Sequence, residues 1–556
     1  MLERFLPRTE FNSYEDFKEN YRVNMPENFN FAYDVMDEWA YMAPDKTAMV
    51  WCNDNGEDRT FTFSELKRLS DKAANLFKKQ GIGKGDIVLL LLKRRWEYWV
   101  CTLALQKLGA VSIPATIQLT KKDLVYRNNS ASVKMIVSVL DHEIVQFIEE
   151  AMPDSPTVKC IALVGAQREG WLNFDEELIN APEEFERPTG EKAAGGYDNM
   201  LMYFTSGTTG MPKIVTHNYY HALGHIVTAH YWQRLTSEGL HLTVSESGWA
   251  KCGWGKLYGQ WICGVAIFVY DMDKFVPDNL LKAIEKYKIT SFCAPPTIYR
   301  FLIKENLSHY DLSSIKVACT AGEPLNPEVF NQFKKATGLD IIEGFGQSET
   351  TVLCANFQWI KPKPGSMGKP SPLYDIDIVD ENGKTCPAGT EGNIVIKNLD
   401  HFVPPGLFTG YYRDEEATAK VWHDGVYNTG DMAWRDEDGY LWFVGRSDDV
   451  IKCSGYRIGP FEVESALIEH PSILECAVTA VPDPIRGQVV KATVVLAKGW
   501  TASDKLVKEL QNYVKQVTAP YKYPRIIEFV DELPKTISGK IKRKEIRTID
   551  LEKGQK

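Results

Sequence analysis

Several features are missing from this sequence, and each absence closes off a class of protein. No apolar stretch is long enough to cross a bilayer: the longest runs, such as 87–92 (IVLLLL), are strand-sized and lie between Asp86 and Lys93. The opening segment MLERFLPRTEFNSYEDF mixes charged and aromatic residues without an apolar h-region, so it does not resemble a secretory signal. The 11 cysteines include no C-x-x-C pair, are odd in number and are scattered singly, a pattern of reduced thiols rather than of disulfides or zinc. There is no excess of positive charge. With 64 Lys+Arg against 74 Asp+Glu the formal net charge is −10, which argues against bulk attraction to nucleic acid. No internal repeat and no low-complexity linker interrupts the chain. These absences predict a soluble, cytoplasmic protein with small-molecule ligands, no nucleic acid partner and no stable membrane insertion. A homo-oligomer is compatible with them, and any anionic ligand has to be held by locally placed groups.

What is present is a long chain, 556 residues and 44% hydrophobic, enough for three or four folding units at about 150 residues each. Residues 64–80 place Leu66, Leu69, Ala73 and Leu76 at helical spacing behind Ser64, which predicts a helix capped by that serine. GIGKGD at 81–86 is a turn, 87–92 a buried parallel strand, 96–108 a helix ending at Gly109, and 111–114 a second strand. Similar helix–turn–strand units recur at 278–292 and 327–342, so the fold class is α/β, with large helix-covered, mostly parallel sheets. After about residue 370 short strands (375–380, 392–396, 440–444) alternate with turn signals, which predicts a β-rich subdomain at about 370–447 closing a large domain 1–447. Residues 448–556 form a compact α+β module, with helices at 462–470 and 504–517, strands at 475–481 and 491–496, and a basic tail 540–544.

The most informative stretch is 203–215, Tyr-Phe-Thr-Ser-Gly-Thr-Thr-Gly-Met-Pro-Lys-Ile-Val. Thr205, Ser206, Thr208 and Thr209 bring four hydroxyls, Gly207 and Gly210 let the backbone turn around an anion, and Met211-Pro212 lead to Lys213, a charge-assisted donor. The G-x-x-x-x-G-K-[ST] spacing of a Walker A loop is absent. This loop resembles the signature phosphate loop of the adenylate-forming enzymes, the superfamily of acyl-CoA synthetases, peptide-synthetase adenylation domains and luciferases. The resemblance continues in order down nearly the whole chain and is greatest to medium-chain acyl-CoA synthetases.

It implies that Gly322, Glu323 and Pro324, after Ala321, form the adenine-contacting turn. It further implies that Glu343, Gly344, Phe345, Gly346, Gln347, Ser348 and Glu349 line adenine, acyl group and Mg²⁺, with Glu349 as the metal ligand. Ser348 stands where the family usually has threonine, and the hydroxyl survives. Asp431, in Tyr-Asn-Thr-Gly-Asp, matches the ribose clamp, Arg446 and Arg457 match the ribose and phosphate arginines, and Lys540 falls on the catalytic lysine of the terminal motif. Lys213, Glu349 and Lys540 are thereby the catalytic set, Lys540 neutralising charge as a carboxylate attacks the α-phosphate of ATP. Its neighbours Lys542, Arg543 and Lys544 read as a solvated basic tail. Asp448 matches the hinge about which a mobile C-terminal domain, 448–556, swings between adenylation and thioester formation.

For coenzyme A the matching positions are Gln118, Ser454, Gly455 and Tyr456, with Arg486 and Lys515 where relatives place cations. Gly346 stands where acetyl-specific relatives have tryptophan, which opens the acyl pocket, and Trp254, Gly255 and Phe345 complete the candidate pocket residues. The implied activity is ATP-dependent ligation of a medium-chain, branched or aryl acid to coenzyme A. The alternatives are an adenylating enzyme with a carrier-protein or other acceptor, and a nucleotide-binding regulator without turnover. His217, His221 and His225 are spaced i, i+4 as for a shared helix face, but these and His230 lack carboxylate partners nearby and are expected to pack near the cleft rather than hold a metal.

Overall fold

The computed structural model describes residues 1–205, 211–453, 456–535 and 540–554. Two large sheets dominate the first three quarters of the chain. One has nine strands in the order Lys369–Pro370, Val352–Ala355, Ile341–Gly346, Val317–Thr320, Ser291–Ala294, Leu240–Thr243, Ala266–Asp271, Thr47–Asn53 and Asp58–Thr62. The strands from Ile341–Gly346 to Thr47–Asn53 are parallel, and antiparallel strands flank them at both ends. The other has eight strands, in the order Gly410–Tyr411, Lys213–Asn218, Asn199–Thr205, Val111–Pro114, Ile87–Leu91, Met135–Val139, Cys160–Val164 and Leu172–Asn173.

The apolar run at 87–91 shows why the sheets stack. Every residue of the strand is buried. Val88 and Leu90 face one hydrophobic core while Ile87, Leu89 and Leu91 face another, the period-two alternation of a strand covered on both sides. Ile267 and Val269 of the nine-stranded sheet enter the same core as Val88 and Leu90, so the two sheets share a middle layer. The helix Glu97–Leu108 within it is buried at every position, as its apolar circumference requires, and ends at Gly109 in the left-handed conformation.

The helix expected behind Ser64 is Phe63–Lys79, and its cap is Thr62, whose Oγ1 accepts from the Glu65 N–H at 3.1 Å. Ser64 lies inside the first turn, its hydroxyl 2.9 Å from that of Thr62. The β-rich region pairs Ile376–Val379, Gly392–Ile396, Val426–Arg435 and Trp422–His423 in sequence, with Leu441–Arg446 also on Val426–Arg435. Downstream, Ile473–Asp483 and Gly487–Leu496 form a long hairpin carrying Ile526–Phe529 and Ile451–Cys453, packed under the helices Pro460–Ile468 and Asp504–Val517. The expected basic tail is not solvated throughout. Arg543 opens the helix Arg543–Gly554 and makes a two-pronged bond to buried Glu464, at 2.8 Å from each oxygen.

Candidate active site

Parallel strands end on one edge of their sheet, and the loops beyond their carboxyl ends form the natural ligand crevice. Ala321–Pro324 follows the strand Val317–Thr320, and Gln347–Glu349 follows Ile341–Gly346, so the turn and the acidic segment share that edge. Gly322 has φ +104 with no atom within 4 Å of where a Cβ would stand, leaving the backbone open to a flat ligand. Glu323 accepts from the Thr297 hydroxyl at 3.1 Å, with Arg300 3.7 Å away.

The phosphate loop is the connection of a hairpin in the other sheet, with Thr205 paired to Lys213 in register. Ser206, Gly207, Thr208, Thr209 and Gly210 lie outside the described residues, as do Ser454 and Gly455 of the coenzyme A set. The far side of the loop is anchored by Tyr126, whose hydroxyl donates to the Pro212 carbonyl at 2.8 Å, while Met211 is exposed. The Lys213 ammonium stands 4.5 Å from the ring centroid of Tyr411, and the Tyr411 hydroxyl donates to Glu349 at 3.0 Å. Desolvation raises the Glu349 carboxyl above the ordinary range and the Tyr411 bond opposes it.

Asp431 is buried on the strand Val426–Arg435 and is held by two donors, the Gln347 amide and Arg446 at 3.3 Å. Gln347 also donates to the Thr429 carbonyl and accepts from Tyr427, so it is a crossbar between the acidic segment and the ribose aspartate. Desolvation raises the Asp431 carboxyl, opposed by Arg446 and, more weakly, by Lys540. Lys540 also disfavours the charge of Lys251, which burial already pushes down and whose Nζ donates to the Ala321 carbonyl at 2.6 Å. The C-terminal lysine thus adds positive charge near a site whose other residues lie more than 90 positions earlier in the chain. Asp448 sits just past Leu441–Arg446, 3.9 Å from Arg446.

Other expected site residues are placed elsewhere. Arg457 is not brought to the nucleotide side, because its guanidinium pairs with exposed Glu381. Glu343 is buried, its carboxyl pushed up to about 8 by burial and accepting from the Leu325 N–H at 3.4 Å, while a Cβ on Gly344 would run into Trp232. Gly255 lets the helix Ala250–Lys256 lie against the strand Leu240–Thr243, since its Cβ would fall 2.2 Å from the Thr243 hydroxyl. Gly346 does not leave open space: a Cβ there would meet the Trp254 indole at 2.3 Å, so Trp254 fills the volume that the missing side chain frees. Phe345 is half-buried between two cores of the β-rich region.

Gln118 is exposed in a turn and donates its N–H to Thr116. Tyr456 is exposed and stacks on Tyr521 at 4.2 Å, and Lys515 lies 4.0 Å over the ring of Tyr523, with Arg525 on the same ring. Arg486 is half-buried, with its N–H bonded to Asp483. The histidines do not share one helix face. His217 is on the strand Lys213–Asn218, while His221 and His225 follow on a short helix with their Nε2 atoms 3.1 Å apart. Burial holds His217 near about 4, neutral, and its Nε2–H donates to the Ser348 carbonyl at 2.7 Å. Tyr411, Lys251 and His217 are site residues that motif matching does not mark. The sequence signals were the histidine spacing for His217 and, for Lys251, one of two lysines in an aromatic and glycine-rich run.

Mg²⁺ needs hard oxygen ligands and takes most of them from water and substrate phosphates. One Glu349 oxygen accepts from Tyr411, and a carboxylate at this edge suits a nucleotide-borne ion. Among the described residues no three His, Cys, Asp or Glu side chains gather into a metal-binding group.

Residues 36–412 match the family described as AMP-binding enzyme, and residues 462–540 match the AMP-binding enzyme C-terminal domain. The chain belongs to the AMP-binding enzyme family. It is 44% identical to "Acyl-coenzyme A synthetase ACSM3, mitochondrial" of Mus musculus, covering 97% of this chain and 93% of the relative. It is also 44% identical to "Acyl-coenzyme A synthetase ACSM4, mitochondrial" of Rattus norvegicus, over 94% of this chain and 91% of that one. Among solved structures an anthranilate CoA ligase holding anthranoyl-AMP superposes with a TM-score of 0.87 at 29% identity, covering 96% of this chain and 99% of that one. An acyl-CoA synthetase of Brucella canis gives 0.74 at 30% identity, covering 98% and 100%. The α/β class expected from the sequence is that of these neighbours. The cytoplasmic assignment is overturned, because these curated relatives are named mitochondrial. Organellar transit peptides are amphipathic and carry no apolar h-region, so the lack of such a region says nothing about them. No helix among the described residues is long and apolar enough to cross a membrane.

Proposed function

We propose that this protein is an AMP-forming acyl-CoA synthetase acting on medium-chain, branched or aryl carboxylic acids. In the first step a carboxylate oxygen of the acid attacks the α-phosphorus of ATP, the α–β phosphoanhydride bond breaks, and pyrophosphate leaves. In the second, the thiol sulfur of coenzyme A attacks the acyl carbonyl, its proton passes to solvent, and AMP leaves with the electrons of the carbonyl–oxygen bond. The observation that carries this reading is the arrangement of the acidic segment and the ribose aspartate, with buried Asp431 accepting from the Gln347 amide and from Arg446, and Glu349 accepting from Tyr411 beside Lys213.

Lys213 and the loop before it hold the departing phosphates, Asp431 accepts the ribose hydroxyls, and Lys540 lies against the carboxylate–phosphate junction. Glu349, together with the nucleotide's phosphates, would hold Mg²⁺, which would supply charge neutralisation on the departing pyrophosphate. The C-terminal unit, 448–556, turns about Asp448 so that Tyr456, Arg486 and Lys515 receive coenzyme A in the second step. Trp254, packed over Gly346, forms one wall of the acyl pocket and limits the length of acid it takes. The reading is supported by relatives and neighbours named as acyl-, anthranilate- and benzoate-CoA ligases. The test is a panel of acids assayed for AMP release with and without coenzyme A. Coenzyme A-dependent AMP release, greatest on acids larger than acetate, is expected; ADP as product, or a best kcat/KM on acetate, would refute it.

A further inference from the structure

Tyr411 sits where two opposite charges of the nucleotide site meet, and nothing in the adenylation chemistry above requires it. Its hydroxyl donates to Glu349 at 3.0 Å, and the Lys213 ammonium lies 4.5 Å from its ring centroid. Both groups are therefore within one aromatic residue of each other. Even so, Lys213 makes no ion pair among the described residues, although a sheltered lysine beside a carboxylate would ordinarily form one. The backbone fixes this arrangement. Tyr411 pairs with Val215 across the strand that begins at Lys213, its N–H donates to the Thr418 hydroxyl at 2.9 Å, and Phe408 N–H donates to the Glu349 carbonyl at 2.7 Å. Three segments distant in sequence are thereby clamped with the phenol at their junction.

We infer that Tyr411 is a positioning residue that keeps Lys213 and Glu349 from neutralising each other before nucleotide arrives, engaging the ammonium with its ring and the carboxylate with its hydroxyl. The ring face attracts a cation without consuming its charge, and the hydroxyl gives the carboxylate a donor that is not Lys213. ATP then meets a lysine ready for phosphate, and the carboxylate stays on the side where the phosphates bring their cation. Were the two to pair directly, each nucleotide would first have to break that pair. This inference rests on the nucleotide reading of the site given above.

The test is binding of ATP by calorimetry in EDTA, which reads Lys213 without turnover or metal. Tyr411→Phe keeps the ring but removes the hydroxyl, freeing Glu349 to reach Lys213, and is expected to weaken metal-free ATP binding about tenfold. Adding Glu349→Gln to Tyr411→Phe removes the carboxylate that traps the lysine, and is expected to restore affinity to within about twofold of Glu349→Gln alone. A Tyr411→Phe protein that binds as tightly as the wild type overturns the inference. So does a loss that Glu349→Gln does not restore, since damage to packing is indifferent to that carboxylate. Failure of the wild-type protein to bind ATP would instead sink the nucleotide reading and leave a different mark from either.

Discussion

The nucleotide side of the site and the expected coenzyme A side are built in opposite ways. Asp431, Gln347 and Arg446 are bonded to one another and Glu349 is bonded to Tyr411, all of them buried or sheltered, so their geometry exists before any ligand arrives. Tyr456 and Gln118 are exposed, and Tyr456, Lys515 and Arg525 are engaged with neighbouring rings on the surface of the C-terminal unit. The first is a preorganised pocket, the second a face that needs another surface to complete it. A site that must serve two reactions in turn can keep one half fixed only if the other half moves.

The sharpest way to break this comparison is Lys540→Ala. It is expected to cut acid-dependent pyrophosphate release by about 10³-fold or more while sparing thioester formation from supplied acyl-adenylate. Equal loss of both steps would show that the two halves are not separable. Asp431→Ala, which strips Arg446 and Gln347 of their acceptor, should raise the KM for ATP by about 10–100-fold with little change in the KM for coenzyme A.

Depth also has a pH signature. Burial holds the Glu343 carboxyl up at about 8, so the folded protein keeps a proton that the unfolded chain releases. Stability therefore falls as pH rises from about 4.5 to about 8, by up to ~1.4 kcal/mol per unit. Glu343→Gln should flatten that decline in urea melts between about pH 5 and pH 8 without abolishing activity; an unchanged slope would show that Glu343 titrates normally. Trp254→Ala should shift the preferred acid to longer chains, changing the ratio of kcat/KM between octanoate and butyrate by about tenfold. The smallest effects are expected on the exposed face. Arg486→Ala and Lys515→Ala should each raise the KM for coenzyme A about threefold and leave pyrophosphate release unchanged, the modest cost of an exposed charge. A loss of adenylation in either would erase the distinction between the two sides.

Legibility in the sequence followed the range of the interaction. The parallel strand at 87–91, the helix stopping at Gly109 and the hairpin around the phosphate loop depend on local periodicity and turn chemistry, and they lie where the pattern predicts. The cap at Thr62 instead of Ser64 is a two-residue error of the kind that neighbouring hydroxyls invite. At Gly346 and Gly255 the sequence was less explicit for a different reason: a glycine marks that something approaches closely but not what, and here the neighbours are Trp254 and Thr243. Arg457 and Arg543 are indistinguishable in sequence from other surface cations, yet one pairs with Glu381 and the other with buried Glu464.

By itself the sequence determined the sheets, the loop that turns between two strands, and the order of motifs that ends at Lys540, because each is written in residues close together in the chain. Only the tertiary structure decided that Tyr411 stands between Lys213 and Glu349, that Gln347 braces Asp431, and that Trp254 occupies the space over Gly346. Those contacts join residues from 62 to 198 positions apart, or segments that run on different sheets. No local pattern encodes such meetings; the packing of two parallel-rich sheets against a β-rich cap creates them.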